Sequence, residues 1–258
     1  MDPSTLKTED APYTRYYCEE NVYKLLEAAL AQIRAAPATP APRQLFALFV
    51  SNPERRVLLF HQAASRVGPD MDNYVVWDYH VVAVSLDYGS DGIRRAVVLD
   101  RDSLLGFPVS LDAYLQSAFR PDLFSDGYLD PSLQSMFRVV PAGDFLRNFA
   151  SDRSHMLVGA TSSVNTTSTR ATTPEGQEHG STACPVAKDS TAVYLQPPPP
   201  YPPICGSNAR SLGHTHNLFT HWLEMRGTDA TAGEGFGKVL GSVEDLRAYF
   251  AQAMQSVV

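Results

Sequence analysis

The sequence predicts a mixed α/β (α+β) fold in which a central, mostly antiparallel sheet is flanked by helices. The run NYVVWDYHVVAVSLDY (73–88), rich in Val, Tyr and Trp, turns through GSDG into IRRAVVLD (93–100), the pattern of a hairpin. Segments of helical periodicity stand before and after this β region. The chain has 258 residues, 44% of them hydrophobic, enough for one well-packed core. We read 1–258 as a single domain.

Taken in order, residues 1–12 are polar and read as a mobile tail. A helix follows Cys18, because Val22, Leu25, Leu26, Ala29 and Ile33 recur on one face. AAPATPAPR (35–43) ends it, since proline cannot continue a helix. QLFALFV (44–50) and RVLLF (56–60) read as strands on either side of the turn SNPE. After the hairpin, SLDAYLQSAF (110–119) is a helix with Ser110 as N-cap. PSLQSMF (131–137) reads as a shorter helix with proline in its first turn. RVVP suggests a short strand, and AGDFLRNFA (142–150) another helix.

The composition then changes. Of the 22 residues from 161 to 182, 11 are Ser or Thr. The stretch 157–192, which includes Cys184, reads as a disordered insertion in the domain. PPPPYPPI (197–204) is a stiff extended segment, either a partner ligand or a strut on its own domain. SVEDLRAYFAQAM (242–254) is a closing helix with a Ser-x-x-Asp start.

A net charge of −7 and no Lys/Arg run argue against nucleic-acid or anionic-membrane partners and suit a cationic ligand such as a peptide amine. The N-terminus has no apolar signal region, and no apolar run approaches the length of a membrane span. The expected compartment is the cytosol, with the nucleus alongside it. The three cysteines Cys18, Cys184 and Cys205 show neither a zinc spacing nor a disulfide framework.

Cys18 opens a helix, where the dipole and free N–H groups favour a thiolate and an oxyanion, yet a buried core cysteine fits the same position. Glu19 and Glu20 suit the first turn but oppose a thiolate. Side chains alternate on a strand, so Asp78, His80 and Val82 share one face, opposite Trp77, Tyr79 and Val81. His80 is then a satisfied core histidine or a rigidly held general base. Asp100 ends the partner strand, where it can orient an imidazole, and Asp102 competes for that role. A Cys–His–Asp order within residues 18–100 parallels papain-like and transglutaminase-like thiol enzymes by analogy. GEGFGKV (233–239) lacks the phosphate-loop spacing and reads as a loop. His214, His216 and His221 lack an evident acidic or thiol partner for a metal. NTT (165–167) matters as a glycosylation site only in a secreted protein.

The strings YYCEENVYKL, VWDYHVV, VLDRDSLLGFP, FRVVPAGDFLRNFASDRSHM and PPPPYP stand in this order. Over about 13–156 and 196–250 the chain resembles the protein N-terminal glutamine amidohydrolases. The resemblance implies deamidation of the side chain of an N-terminal glutamine to glutamate and ammonia, the product then entering arginylation in the N-degron pathway. It implies a catalytic triad of Cys18, His80 and Asp100, with Asp100 preferred to Asp102. It further implies a three-layer α-β-α sandwich related to transglutaminases, with no metal or cofactor. Partners would be proteins or peptides with a free N-terminal Gln, met by a monomer. Asp78 and Glu19 are candidates for binding the substrate α-ammonium. The Ser/Thr-rich stretch and the histidine-bearing loop depart from the family pattern. A related thiol peptidase or acyl transferase, and a non-catalytic module binding N-terminal residues, are the competing readings.

Overall fold

The computed structural model describes residues 10–35, 43–88, 94–159, 193–226 and 236–255. The backbone N–H and C=O of Thr14 each bond the Asn21 side chain at 2.8 Å. Tyr16 takes a left-handed φ of 70°. Together these turn the chain into α1 (Cys18–Ala35), whose Val22, Leu25, Leu26 and Ala29 are buried.

The strands that follow are β1 (Gln44–Ser51), β2 (Val57–Leu59), β3 (Val75–Trp77), β4 (His80–Tyr88), β5 (Arg94–Leu99) and β6 (Val109–Ser110). Next come α2 (Leu111–Phe119), α3 (Pro121–Ser125), β7 (Met136–Pro141), α4 (Ala142–Asn148) and β8 (Ala150–Ser151). The described chain closes with β9 (Ile204–Cys205), α5 (Ser207–Ser211), β10 (Lys238–Leu240) and α6 (Val243–Gln255).

Six strands form the main sheet in the order β10-β7-β1-β4-β5-β6, antiparallel at every pairing. A strand covered on both faces must be apolar at successive positions, and β1 is buried along nearly its whole length. Leu45, Ala47 and Phe49 of β1, with Val81 and Ala83 of β4, pack under α1 and α4. Phe46, Leu48 and Val50, with Val82 and Val84, pack under α2 and α6. Helices therefore flank the central sheet on both sides. Each fully buried Leu or Phe in these layers contributes about 1.5–3 kcal/mol.

The predicted strand 73–88 is interrupted. The Tyr79 N–H donates to the Asp78 carboxylate, and the Ser51 hydroxyl donates to the Asp78 carbonyl. The resulting bend sends β3 away to pair with β2 in a separate two-stranded sheet. Strict alternation fails there, and Trp77 stacks on His80 instead of facing away from it, with ring centroids 5.7 Å apart. The expected helix 131–137 is one 3-10 turn, Pro131–Leu133, followed by β7. That turn is capped by Asp130, whose side chain accepts from the Ser132 N–H.

The sequence reading passed over α3 and also β10, which begins inside GEGFGKV. The N-cap at Ser110 is present, accepting from the Ala113 N–H. Ala11, assigned to the tail, is buried in the core. Residues 157–159, assigned to the insertion, are ordered as a stem: Leu157 bridges Tyr194, and the Val158 N–H donates to the Val193 carbonyl. Most of the expected tail (1–12) and insertion (157–192), and Cys184 with them, lies outside the described residues. Among the described residues, no helix is long and apolar enough to cross a membrane.

Candidate active site

Three segment ends converge: the first turn of α1, the start of β4 and the end of β5. The register explains part of this. Ala83 lies opposite Leu99, so the next rung sets Asp100 opposite Val82, diagonal to His80 and on the same face. His80 Nε2 and Asp100 Oδ2 are 3.1 Å apart, with side chains only 1% and 2% exposed. The Tyr114 hydroxyl of α2 donates to the same Oδ2 at 2.8 Å, and the Asp102 N–H donates to Oδ1. Asp102 thus sits behind Asp100 as part of its support, and it also accepts a bond from Tyr13.

Burial alone would push the His80 imidazole down, but the Asp100 charge and hydrogen bond hold it above its ordinary value. Asp100 is held below the usual carboxylate range: burial opposes this, and His80, Tyr114 and the Asp102 N–H prevail. The stacked indole of Trp77 donates to Gln62, which fixes one wall of the imidazole slot.

Cys18 is half-buried at the N-terminus of α1. The Val81 N–H, one residue beyond His80, hydrogen-bonds the sulfur and pulls the thiol pKa down. Burial, Glu19, Asp102 and Asp78 pull it the other way and win, so the resting group is a neutral thiol. The helix-start position favours a thiolate, but burial and the carboxylates around this one reverse that preference. A neutral thiol needs a base to take its proton before it can attack.

The two glutamates have separate fates. Glu20 accepts two bonds from Arg153, which also donates to the carbonyls of Pro199 and Tyr201. The proline-rich segment is therefore a strut tied to α1 through one guanidinium. Glu19 is 0% exposed. Its Oε2 accepts from the Tyr79 hydroxyl at 3.0 Å and faces the Cys18 Sγ at 3.7 Å. Its Oε1 lies 3.4 Å from His155 Nε2 but receives no aligned hydrogen bond. Asp78, by contrast, is exposed.

Sequence reasoning missed Tyr13, Tyr114, Arg153 and His155. Each acts through a partner at least 14 positions away, which no local pattern announces. The histidines of the 214–221 loop part company: His214 packs against His221, while His216 packs against His155.

Among the described residues, one group of three or more potential metal ligands exists, formed by His80, Asp100 and Asp102 within 4.8 Å. Both Asp100 oxygens and one Asp102 oxygen also accept hydrogen bonds from neighbouring groups.

What this arrangement can do is acyl transfer: a thiol, a base, an orienting carboxylate and a helix N-terminus for an oxyanion. Comparison with known proteins agrees with that chemistry. The family described as N-terminal glutamine amidase matches residues 13–250. A protein N-terminal glutamine amidohydrolase of Oryza sativa subsp. indica is 42% identical over 144 residues, 56% of this chain and 58% of that protein. Proteins of the same name from Homo sapiens and Arabidopsis thaliana are 32% and 33% identical, covering 78% and 88% of this chain and 75% and 81% of theirs. With the match running from before Cys18 to the end of α6's second turn, the chain belongs to the N-terminal glutamine amidase family.

Proposed function

We propose that this chain hydrolyses the side-chain amide of an N-terminal glutamine, releasing ammonia and leaving N-terminal glutamate. The observation that carries the reading is the buried His80–Asp100 pair, 3.1 Å apart, at the strand position next to the Cys18 sulfur. The mechanism is read as a thioester route. His80 takes the Cys18 proton as sulfur attacks the amide carbon, forming a C–S bond and an oxyanion held at the start of α1. Collapse breaks the C–N bond, and His80 hands its proton to the departing ammonia. Neutral His80 then takes a proton from water, which attacks the thioester and frees the thiol and the glutamate carboxylate. Asp100 keeps the Nε2–H tautomer, which leaves Nδ1 for these transfers, and stabilises the imidazolium.

The order of a helix-start Cys, a strand His and a following Asp supports a papain- or transglutaminase-like core. Selectivity requires a receptor for the free α-ammonium. Glu19 has no surface a substrate could touch, whereas Asp78 is exposed and close enough to bear on the thiol. We assign the ammonium to Asp78 and a supporting role to Glu19. The enzyme acts as a monomer in the cytosol and nucleus, and its product enters the arginylation branch of N-degron turnover.

Peptides beginning with Gln, Asn or acetyl-Gln, assayed for ammonia and a one-dalton mass gain, test the reading. Deamidation is expected for free Gln alone. Peptide cleavage would instead support a thiol peptidase, and no turnover a binding module. Retained activity in Cys18→Ala would remove the thioester route.

A further inference from the structure

We infer that His155 tunes the nucleophile through Glu19: by neutralising the buried carboxylate beside the Cys18 sulfur, it lets the thiol give up its proton. His155 is thus a positioning residue. The inference rests on Cys18 being the nucleophile, as proposed above.

The geometry is a chain of three contacts. Glu19 Oε2 lies 3.7 Å from Sγ, and Oε1 lies 3.4 Å from His155 Nε2. The third link is Tyr79, whose hydroxyl touches both Glu19 Oε2 and His155 Nε2. Glu19 is completely enclosed, and the His155 side chain is 7% exposed, so water screens neither. A buried carboxylate with no countercharge would hold a proton on the neighbouring thiol. The Arg153 guanidinium cannot serve, because it is spent on Glu20, and Arg55 lies over the Phe219 ring.

The charges facing this chain are few. Asp78 and Asp102 bear on Cys18 along with Glu19. Burial lowers the His155 pKa, but Glu19, Asp78 and Glu20 bear on it and together raise it above the ordinary value. His216 stacks on His155 with ring centroids 5.3 Å apart, with Asp152 3.4 Å from its Nδ1. Burial pushes His216 down, and neither of its ring nitrogens has a hydrogen-bond partner. Two adjoining imidazoles resist carrying two charges; the Nδ1 of His155 also lacks a partner, but its Nε2 is the nitrogen that faces the Glu19 carboxylate, which favours the proton there.

The test is the pH profile of Cys18 alkylation by iodoacetamide, read peptide by peptide by mass spectrometry on the full chain. His155→Gln should move the midpoint up by about one pH unit, slowing alkylation at neutral pH roughly tenfold. Glu19→Gln should move it down, and the double variant should match Glu19→Gln, because no carboxylate is left to neutralise. His216→Met should leave it in place.

An unmoved midpoint in folded His155→Gln would overturn the inference. So would an equal slowing in the Glu19→Gln background, or a His216→Met effect as large as that of His155→Gln. Should His155→Gln not fold, the direction of the Glu19→Gln shift decides. Alkylation does not require turnover, so this outcome is independent of whether the chain is an amidohydrolase.

Discussion

Glu20 and Arg153, 133 positions apart, meet through two hydrogen bonds of 2.8 Å with side chains 0% and 5% exposed. Arg153 holds a left-handed φ of 65° to do so. Replacing it with Met leaves a buried carboxylate without its cation, at a cost of about 3–5 kcal/mol. Urea denaturation should show this loss. The freed Pro199 and Tyr201 carbonyls should also make the segment around them quicker to proteolyse.

The pH dependence follows from His80. As a base it works when neutral, and its pKa is raised above the ordinary 6.5. Activity must therefore fall as pH drops through that raised value, so the acid limb of kcat/KM should lie above about pH 6.5. In Asp100→Asn the largest charge that raises the imidazole is gone, leaving only Asp102 and Glu19 to oppose burial. The limb should shift to lower pH while kcat drops by roughly 10³–10⁴, which a rate profile from pH 5 to 9 would reveal.

Tyr114→Phe offers a finer probe of the same carboxylate. It removes one of the bonds to Asp100 Oδ2 and leaves His80 in place. A stability loss of about 1–2 kcal/mol is expected, with kcat reduced far less than in Asp100→Asn. Equal losses in the two variants would mean that Asp100 acts as scaffold alone.

Asp78→Asn addresses selectivity. Loss of one charge-assisted contact to the α-ammonium, about 1.5–3 kcal/mol, should raise KM for a Gln-peptide about 10- to 100-fold with kcat little changed. Discrimination against acetyl-Gln should shrink in parallel. An unchanged KM would send the ammonium elsewhere.

Legibility in the sequence followed the range of the interaction. The apolar stripe of α1 and the hairpin bringing Asp100 beside His80 are local patterns, and both are present in the structure. The face assignment of Asp78 failed because a contact from Ser51, 27 positions away, bends the chain there. The fate of the two glutamates was hidden for the same reason: their partners are Tyr79 and the segment around residue 153. Composition alone marked the Ser/Thr-rich stretch, but the pairing of 156–158 with 193–195 on its flanks is tertiary.

That pairing gives the fold a modular seam. Because Leu157 and Tyr194 already stand side by side, the core needs only that the chain between them returns to its starting point. In the terms of a protein engineer, the stem is a port: exchanging the chain between 159 and 193 for a short turn is expected to leave the melting temperature in place, because the two sides of the stem already pair with each other.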